Sequence, residues 1–265
     1  HTGALMGADH VFDAALERTG AVRALSFGQL FAAAEILGSN KRSNGNRLGI
    51  VTNGGGAGVL AADRAGDTRV DLANLSPKTV EKLDSVLPKF WSHGNPVDVL
   101  GDAGAEEYGA AVKAVYEDPN VDGMLVLLTP QAMTDSTGTA QAVAQVASQT
   151  RKPVLAAWMG GGTVDEATQL LNRSGIPTYT TPEKAIRAFM HLVSYARNLE
   201  ILHETPRDLP KSFTLDRKRL RGAFDTILTE GTEILAENVS KAVLEAYEIP
   251  VTKPHLARDA DEAIE

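Results

Sequence analysis

Between residues 47 and 181, short apolar runs alternate with segments of helical spacing, and no other feature of the sequence restricts the fold as much. GMLVLLTP (123–130) and PVLAAWM (153–159) are apolar without a break, the mark of strands buried on both faces. RLGIVTN (47–53), NPVDVLG (95–101) and IPTYTT (176–181) complete a set of five predicted strands. Helices are predicted between them: from the glycine cluster after residue 53 through Ala62, from Ser76-Pro77 onward, and over 105–117, 136–149 and 163–173. A last one runs from Pro182 to about Leu202. Ser76 supplies a capping hydroxyl and Pro77 suits a first helical turn. Alternation of this kind implies an α/β fold, a doubly wound parallel sheet of flavodoxin-like or Rossmann-like type with helices on both faces.

Two polar stretches flank this unit. GSNKRSNGN (38–46) has no apolar residue, and ETPRDLPKSFTLD (204–216) holds two prolines and several charges, so both read as linkers. Before the first lie a helix over 9–18 stopped by Gly20, a short strand AVRAL (21–25), and a helix FGQLFAAAEIL (27–37) capped by Ser26. After the second come helices over 217–229 and 236–247 and a helix start at Asp259. A beginning at His1 and an end at Glu265 inside a helical pattern read as cuts through a longer polypeptide.

Composition excludes several classes. There are no cysteines, which removes disulfides, thiolate metal sites and cysteine nucleophiles and suits a cytoplasmic protein. A net charge of −8 without a basic block argues against nucleic-acid binding. No apolar run approaches the roughly 20 residues that cross a bilayer.

The chemistry suggested by the residues is that of anions. Asn53-Gly54-Gly55-Gly56 joins a strand to a helix, where glycines let backbone N–H groups approach an anion and the helix dipole favours negative charge. The stretch lacks the Lys-Ser or Lys-Thr of a P-loop, and its spacing matches a dinucleotide fingerprint only weakly. The alternative is that the glycines merely permit a tight turn. Gly160-Gly161-Gly162 repeats the arrangement after another strand, which puts two helix N-termini on one sheet edge. Asp98 and Asp102 read more readily as turn or helix caps than as metal ligands. None of the six histidines has zinc-site spacing, and no metal-ligand set is assigned. His1 precedes a small-residue loop, TGALMG; from spacing alone it reads as a chain end.

Taken together, the segments resemble the ADP-forming acyl-CoA synthetases, relatives of succinyl-CoA synthetase. HTGALMGADHVFDAALERTGAVR resembles that family's phosphohistidine loop and helix, and RLGIVTNGGGAGVLAAD its glycine loop. NPVDVLGDA, DGMLVLLTPQAMTD, KPVLAAWMGGG and GIPTYTTPEKAIRAFMHLVSYARN follow in the family's order. AENVSKAVLEAYEIPVTKP resembles the first segment of its ATP-grasp half.

The resemblance implies a division of the chain. Residues 1–40 would end a first ligase domain, 41–46 link it to a flavodoxin-like, succinyl-CoA synthetase-like ligase domain over 47–203, and 204–216 link that to the start of an ATP-grasp domain over 217–265. It implies the reaction acyl-CoA + ADP + phosphate ⇌ carboxylic acid + CoA + ATP, with His1 as the phosphoryl carrier. Asn53, Gly54, Gly55 and Gly56, and with them Gly160, Gly161 and Gly162, would hold the phosphoryl group. Mg²⁺ with ATP or ADP, and CoA, would serve the full-length protein, with none bound by this piece alone. An oligomer of several domains or subunits is implied. A second resemblance is to bacterial protein lysine acetyltransferases, whose synthetase-like half senses acyl-CoA. A third reading is a binding module without chemistry, since fold alone does not fix function.

Overall fold

The computed structural model describes residues 8–39, 41–149, 151–204, 217–229, 231, 234–247, 249–252, 257, 259 and 261. The chain divides into two units between Glu204 and Thr205. In the first, helices α1 (Asp9–Arg18) and α2 (Phe27–Gly38) precede the sheet. Then come β1 (Arg47–Thr52), α3 (Gly55–Gly66), β2 (Asp71–Leu72), α4 (Pro77–Val86), β3 (Val97–Asp98), α5 (Ala105–Glu117) and β4 (Gly123–Leu128). They are followed by α6 (Ser136–Ser148), β5 (Val154–Trp158), α7 (Asp165–Arg173), β6 (Thr178–Tyr179) and α8 (Pro182–His203).

All strand pairs are parallel, in the order β2-β1-β4-β5-β6. β2 and β3 share one side of β1: β2 pairs with its start (Arg47, Leu48) and β3 with its end (Val51, Thr52). This is the flavodoxin-like doubly wound order, with chain direction across the sheet reversing between β1 and β4.

Alternate residues of the central strands enter two cores. Met124, Val126 and Leu128 face the cluster made with α4, α5, α6 and α7, where Tyr108 and Leu171 also lie. Leu125 and Leu127 face the cluster made with α3 and α8, which includes Ala61, Ala65, Ile186 and Phe189. Burial on both faces explains why these strands read as unbroken apolar runs. Small residues on α3 (Ala57, Ala61, Ala65) let that helix lie close to the sheet.

Two predicted details differ. AVRAL (21–25) is not a strand: among the described residues, none pairs with it in a ladder. Its Ala21 carbonyl instead accepts the Asn198 amide of α8 at 2.6 Å, and Arg23 pairs with Asp9 and Asp13 of α1. β2 was not foreseen: it is two residues long, half polar and only partly buried, so it leaves no apolar run to read. NPVDVLG forms a ladder over two residues only. Asn95 explains how β1 serves two short neighbours. Its Oδ1 accepts from Ile50 N–H, while its Nδ2 donates to the carbonyls of Leu48 and Ala73, all at 2.9 Å. That amide occupies the gap between β2 and β3.

At the opposite edge from the strand C-termini, Asp122 accepts from Arg47 N (3.0 Å) and Nε (2.8 Å). The Arg47 bond holds the Asp122 carboxyl below its ordinary value. Burial alone would raise Asp118, but hydrogen bonds from Thr79, Asn120 and Ser76 bring it lower. A carboxyl depressed in the folded state stabilises fully above its unfolded pKa of about 3.9 and loses that contribution as pH falls further. Urea midpoints should therefore be level from about pH 7 to pH 5 and drop below about pH 4. Asp122→Asn should lower the midpoint at neutral pH and flatten the acid drop.

In the second unit, α9 (Arg217–Thr229) and α10 (Glu237–Ala246) match the predicted helices to within a residue. Within α10, Lys241 pairs with Glu237 one turn earlier and donates to Thr252 Oγ1 at 2.8 Å. The helix start predicted at Asp259 falls mostly outside the described residues. Among the described residues, no helix is long and apolar enough to cross a membrane, and no cluster of His, Asp and Glu is arranged to hold a metal ion.

Candidate functional site

The reversal between β1 and β4 opens a crevice at their C-terminal ends, because the next helices leave to opposite faces of the sheet. Asn53 spans that crevice at its base. Its side chain is buried: Oδ1 accepts from Thr129 N–H (2.9 Å) and Thr129 Oγ1 (3.0 Å), and Nδ2 donates to the Thr129 carbonyl (2.9 Å). These bonds turn the amide into the sheet. As read from sequence, Asn53 belongs with the phosphate-binding set; its geometry makes it the fastener between two strand ends.

The glycines that follow have separate tasks. The Thr52 hydroxyl accepts from Gly54 N–H and lies 3.0 Å from the Gly54 carbonyl as well, which closes the turn. A Cβ on Gly54 would stand 2.5 Å from Thr129 Oγ1, so only glycine lets the loop pass. Gly54 N–H is therefore committed. α3 then begins without any side-chain cap and without an acid in its first turn. The N–H groups of Gly55, Gly56 and Ala57 meet no acceptor among the described residues. Gly55 and Gly56 are exposed, and Gly56 has open space where a side chain would begin. Donors at an uncapped N-terminus, with about half a positive charge behind them, make a seat for an oxyanion.

Gln131, not singled out from sequence, and Asp98 frame the seat. Gln131 donates to the Asn53 carbonyl at 3.3 Å and packs against Gly101. Asp98 accepts Leu100 N–H through Oδ1 (3.0 Å), which is the turn-capping role expected for it. Its Oδ2 stands 3.0 Å from where a Gly55 Cβ would be. A carboxylate beside the seat disfavours a bare anion on that flank and favours one whose carrier brings an N–H. Asp102 is exposed.

Gly160–Gly162 lies on the same sheet edge, after β5, but is built differently. Gly160 and Gly161 have positive φ (155° and 56°), and a single 3-10 turn, Gly161–Val164, precedes α7. Thr163, where the predicted helix was to begin, lies in that turn, its Oγ1 donating to the Gly160 carbonyl at 2.9 Å. α7 carries Asp165 and Glu166 in its own first turn, so its dipole is already answered. α3 thus begins without a side-chain cap or an acid, whereas the N-terminus of α7 is answered by its own carboxylates.

The histidines lie elsewhere. His93 sits toward the other end of the sheet between Asp84 and the Lys89 carbonyl. His10 is exposed on α1, His191 is buried in α8, and His203 ends α8. His1 and His255 lie outside the described residues.

These elements define a flavodoxin-like α/β domain with an uncapped glycine helix at its switch point. The chain belongs to the Ligase-CoA domain family, whose model matches residues 48–203. Acetate–CoA ligase (ADP-forming) I of Archaeoglobus fulgidus is 37% identical over 264 residues, covering 99% of this chain and 37% of that protein. The alpha subunit of acetate–CoA ligase (ADP-forming) II from Pyrococcus furiosus is 36% identical over 203 residues, 75% of this chain and 44% of the subunit. Among solved structures, a dinucleotide-forming acetyl-coenzyme A synthetase 1 from Ca. Korarchaeum cryptofilum, in complex with phosphate and ADP, superposes with a TM-score of 0.71 at 32% identity. The match covers 76% of this chain and 44% of that one. The chain thus spans well under half the length of these relatives.

Proposed function

We propose that this chain is the phosphoryl-handling part of an ADP-forming acyl-CoA synthetase. The single observation that carries the reading is the uncapped N-terminus of α3 at the switch point, on a domain of the Ligase-CoA family. In the proposed reaction, phosphate attacks the thioester carbonyl of acyl-CoA, the C–S bond breaks, and CoA leaves as its thiol. The resulting acyl phosphate gives its phosphoryl group to a ring nitrogen of His1, releasing the carboxylate. The phosphohistidine then passes the group to the β-phosphate of ADP.

The residues of this chain have distinct parts in that scheme. N–H groups of Gly55, Gly56 and Ala57 hold the phosphoryl oxygens while charge develops on them. Asn53 fixes the seat to β4, and Gly54 lets the loop pass Thr129. Asp98 Oδ2 suits the ring N–H of the carrier histidine, which fits its place beside Gly55. Gly160, Gly161 and Gly162 take a lesser part, as the acids of α7 suggest. Mg²⁺, if it accompanies the nucleotide, would be held outside the described residues; its chemistry is to neutralise phosphate charge.

The division into 1–40, 47–203 and 217–265 belongs to the same proposal, as does assembly with further domains or subunits. The relatives above are named as ligases, which does not favour an acyl-CoA sensor attached to an acetyltransferase. The full-length protein, given ATP, CoA and acetate, should form acetyl-CoA, ADP and phosphate. Tight acyl-CoA binding without turnover would move the assignment to the sensor. The 265-residue chain alone should be inactive in the same assay.

A further inference from the structure

The N-terminal edge of the sheet, opposite the glycine seat, holds a cavity of about 740 Å³. Three segments wall it: the linker after α2, the turn between α5 and β4, and the turn between α6 and β5. The six residues of β4 set it roughly 20 Å from the other edge, at 3.3 Å per residue. From sequence the linker reads only as a polar connection, yet it brings Lys41 and Arg42 to this cavity, alongside Arg151 and Lys152.

Among the described residues that line the cavity, Asp122 is the one acid. That carboxylate is already answered: Arg47 donates to Oδ2 through Nε (2.8 Å) and to Oδ1 through Nη2 (2.9 Å). A second acid nearby, Asp118, accepts from the N–H groups of Ser76 (2.7 Å) and Asn120 (2.8 Å). Lys41, Arg42, Arg47, Arg151 and Lys152 thus stand against Asp118 and Asp122, a positive excess in a chain whose net charge is −8.

Two of these cations are fixed in place. Lys152 Nζ donates to the carbonyls of Tyr116 and Asp118, both at 2.8 Å, and stands over the Tyr116 ring. The Arg42 guanidinium lies over the Tyr195 ring of α8. Buried Ser43 anchors the linker beside it, its hydroxyl donating to the Gly45 carbonyl at 2.5 Å. Arg42 and Arg151 make no ion pair among the described residues. Like charges gathered at one cavity repel one another, and a multiply charged anion among them offsets that cost. The volume is that of a small-molecule site, larger than one ion needs.

We propose that this cavity binds the polyphosphate group of a small molecule, a diphosphate at least, with Lys41 and Arg42 reaching it from the linker and Arg151 and Lys152 from the turn before β5. The site does not depend on the function proposed above: it lies at the other sheet edge and uses none of the donors of α3.

Calorimetric titration of the 265-residue chain with inorganic pyrophosphate and, separately, with ADP tests this, in magnesium-free buffer. At low salt pyrophosphate should bind saturably with a Kd on the order of 0.1 mM, and orthophosphate at least about tenfold more weakly. The affinity should fall as salt is raised to about 0.5 M. Arg42→Gln and Arg151→Gln, both at exposed positions, should each weaken pyrophosphate binding about fivefold, the loss of one charge-assisted contact. Arg173→Gln, at an exposed position off the cavity, should leave it unchanged. Gly56→Asp should also leave it unchanged, so this site and the glycine seat can stand or fall separately. ADP binding tighter than that of pyrophosphate, and weakened by the same two variants, assigns a nucleotide; the reverse order assigns a ligand recognised by its polyphosphate alone. Absence of saturable binding, affinity unchanged in both cavity variants, or an equal loss in Arg173→Gln would overturn the proposal, as would orthophosphate binding as tightly as pyrophosphate.

Discussion

A Gly56→Asp substitution should cut acyl-CoA synthesis by the full-length protein about 10²–10³-fold, the usual loss when an oxyanion donor set is disabled. The fold should not suffer. Gly56 is exposed, no heavy atom lies within 4 Å of its would-be Cβ, and it sits in the first turn of α3. An acid there is favourable to the helix by about 0.3–1 kcal/mol. The same carboxylate would occupy the seat and repel a phosphoryl group. Gly56→Ala, which adds bulk without charge, should retain activity within a few-fold. Comparing kcat with thermal unfolding for the three proteins separates the two effects. Loss of activity with a raised or unchanged melting temperature supports the seat; full activity in Gly56→Asp would remove it from the mechanism.

The second large effect is on stability. Asn53→Leu should destabilise the first unit by roughly 2–4 kcal/mol, since it strands the partly buried N–H, hydroxyl and carbonyl of Thr129 at once. Leucine is close in size, so the cost is one of hydrogen bonding more than of cavity formation. The urea midpoint measures it. Asn53→Asp keeps the acceptor for Thr129 N–H and hydroxyl but loses the donor to the Thr129 carbonyl, and should fall between the two. A cost under about 1 kcal/mol for Asn53→Leu would mean that the strand ends are held by other contacts.

The fold was legible where burial is two-sided. Met124 to Leu128 and Val154 to Trp158 have no polar face, and only a sheet covered on both sides accepts them. β2 was not legible, because two residues paired to the edge of β1 need no apolar pattern. AVRAL has strand-like composition, yet its backbone bonds go to helices: the Ala21 N–H to α1, the Ala21 carbonyl to Asn198 of α8 and the Leu25 N–H to Gln29 of α2. The glycine loop was readable as a strand-to-helix turn, because Gly54 passes too close to Thr129 for a side chain. The role of Asn53 was not, since its partner Thr129 lies 76 residues on. Asp165 and Glu166, just after the second glycine cluster, were in plain view; acids in a first turn already argue against a vacant helix N-terminus there.

The most direct measurement is phosphorylation of His1. The full-length protein, incubated with Mg-ATP labelled at the γ-phosphate, should acquire acid-labile, base-stable label on the peptide that contains His1. That label should vanish in His1→Ala and be discharged by CoA with a carboxylic acid. Turnover to acyl-CoA and ADP with no label at His1, and unimpaired activity in His1→Ala, would contradict it.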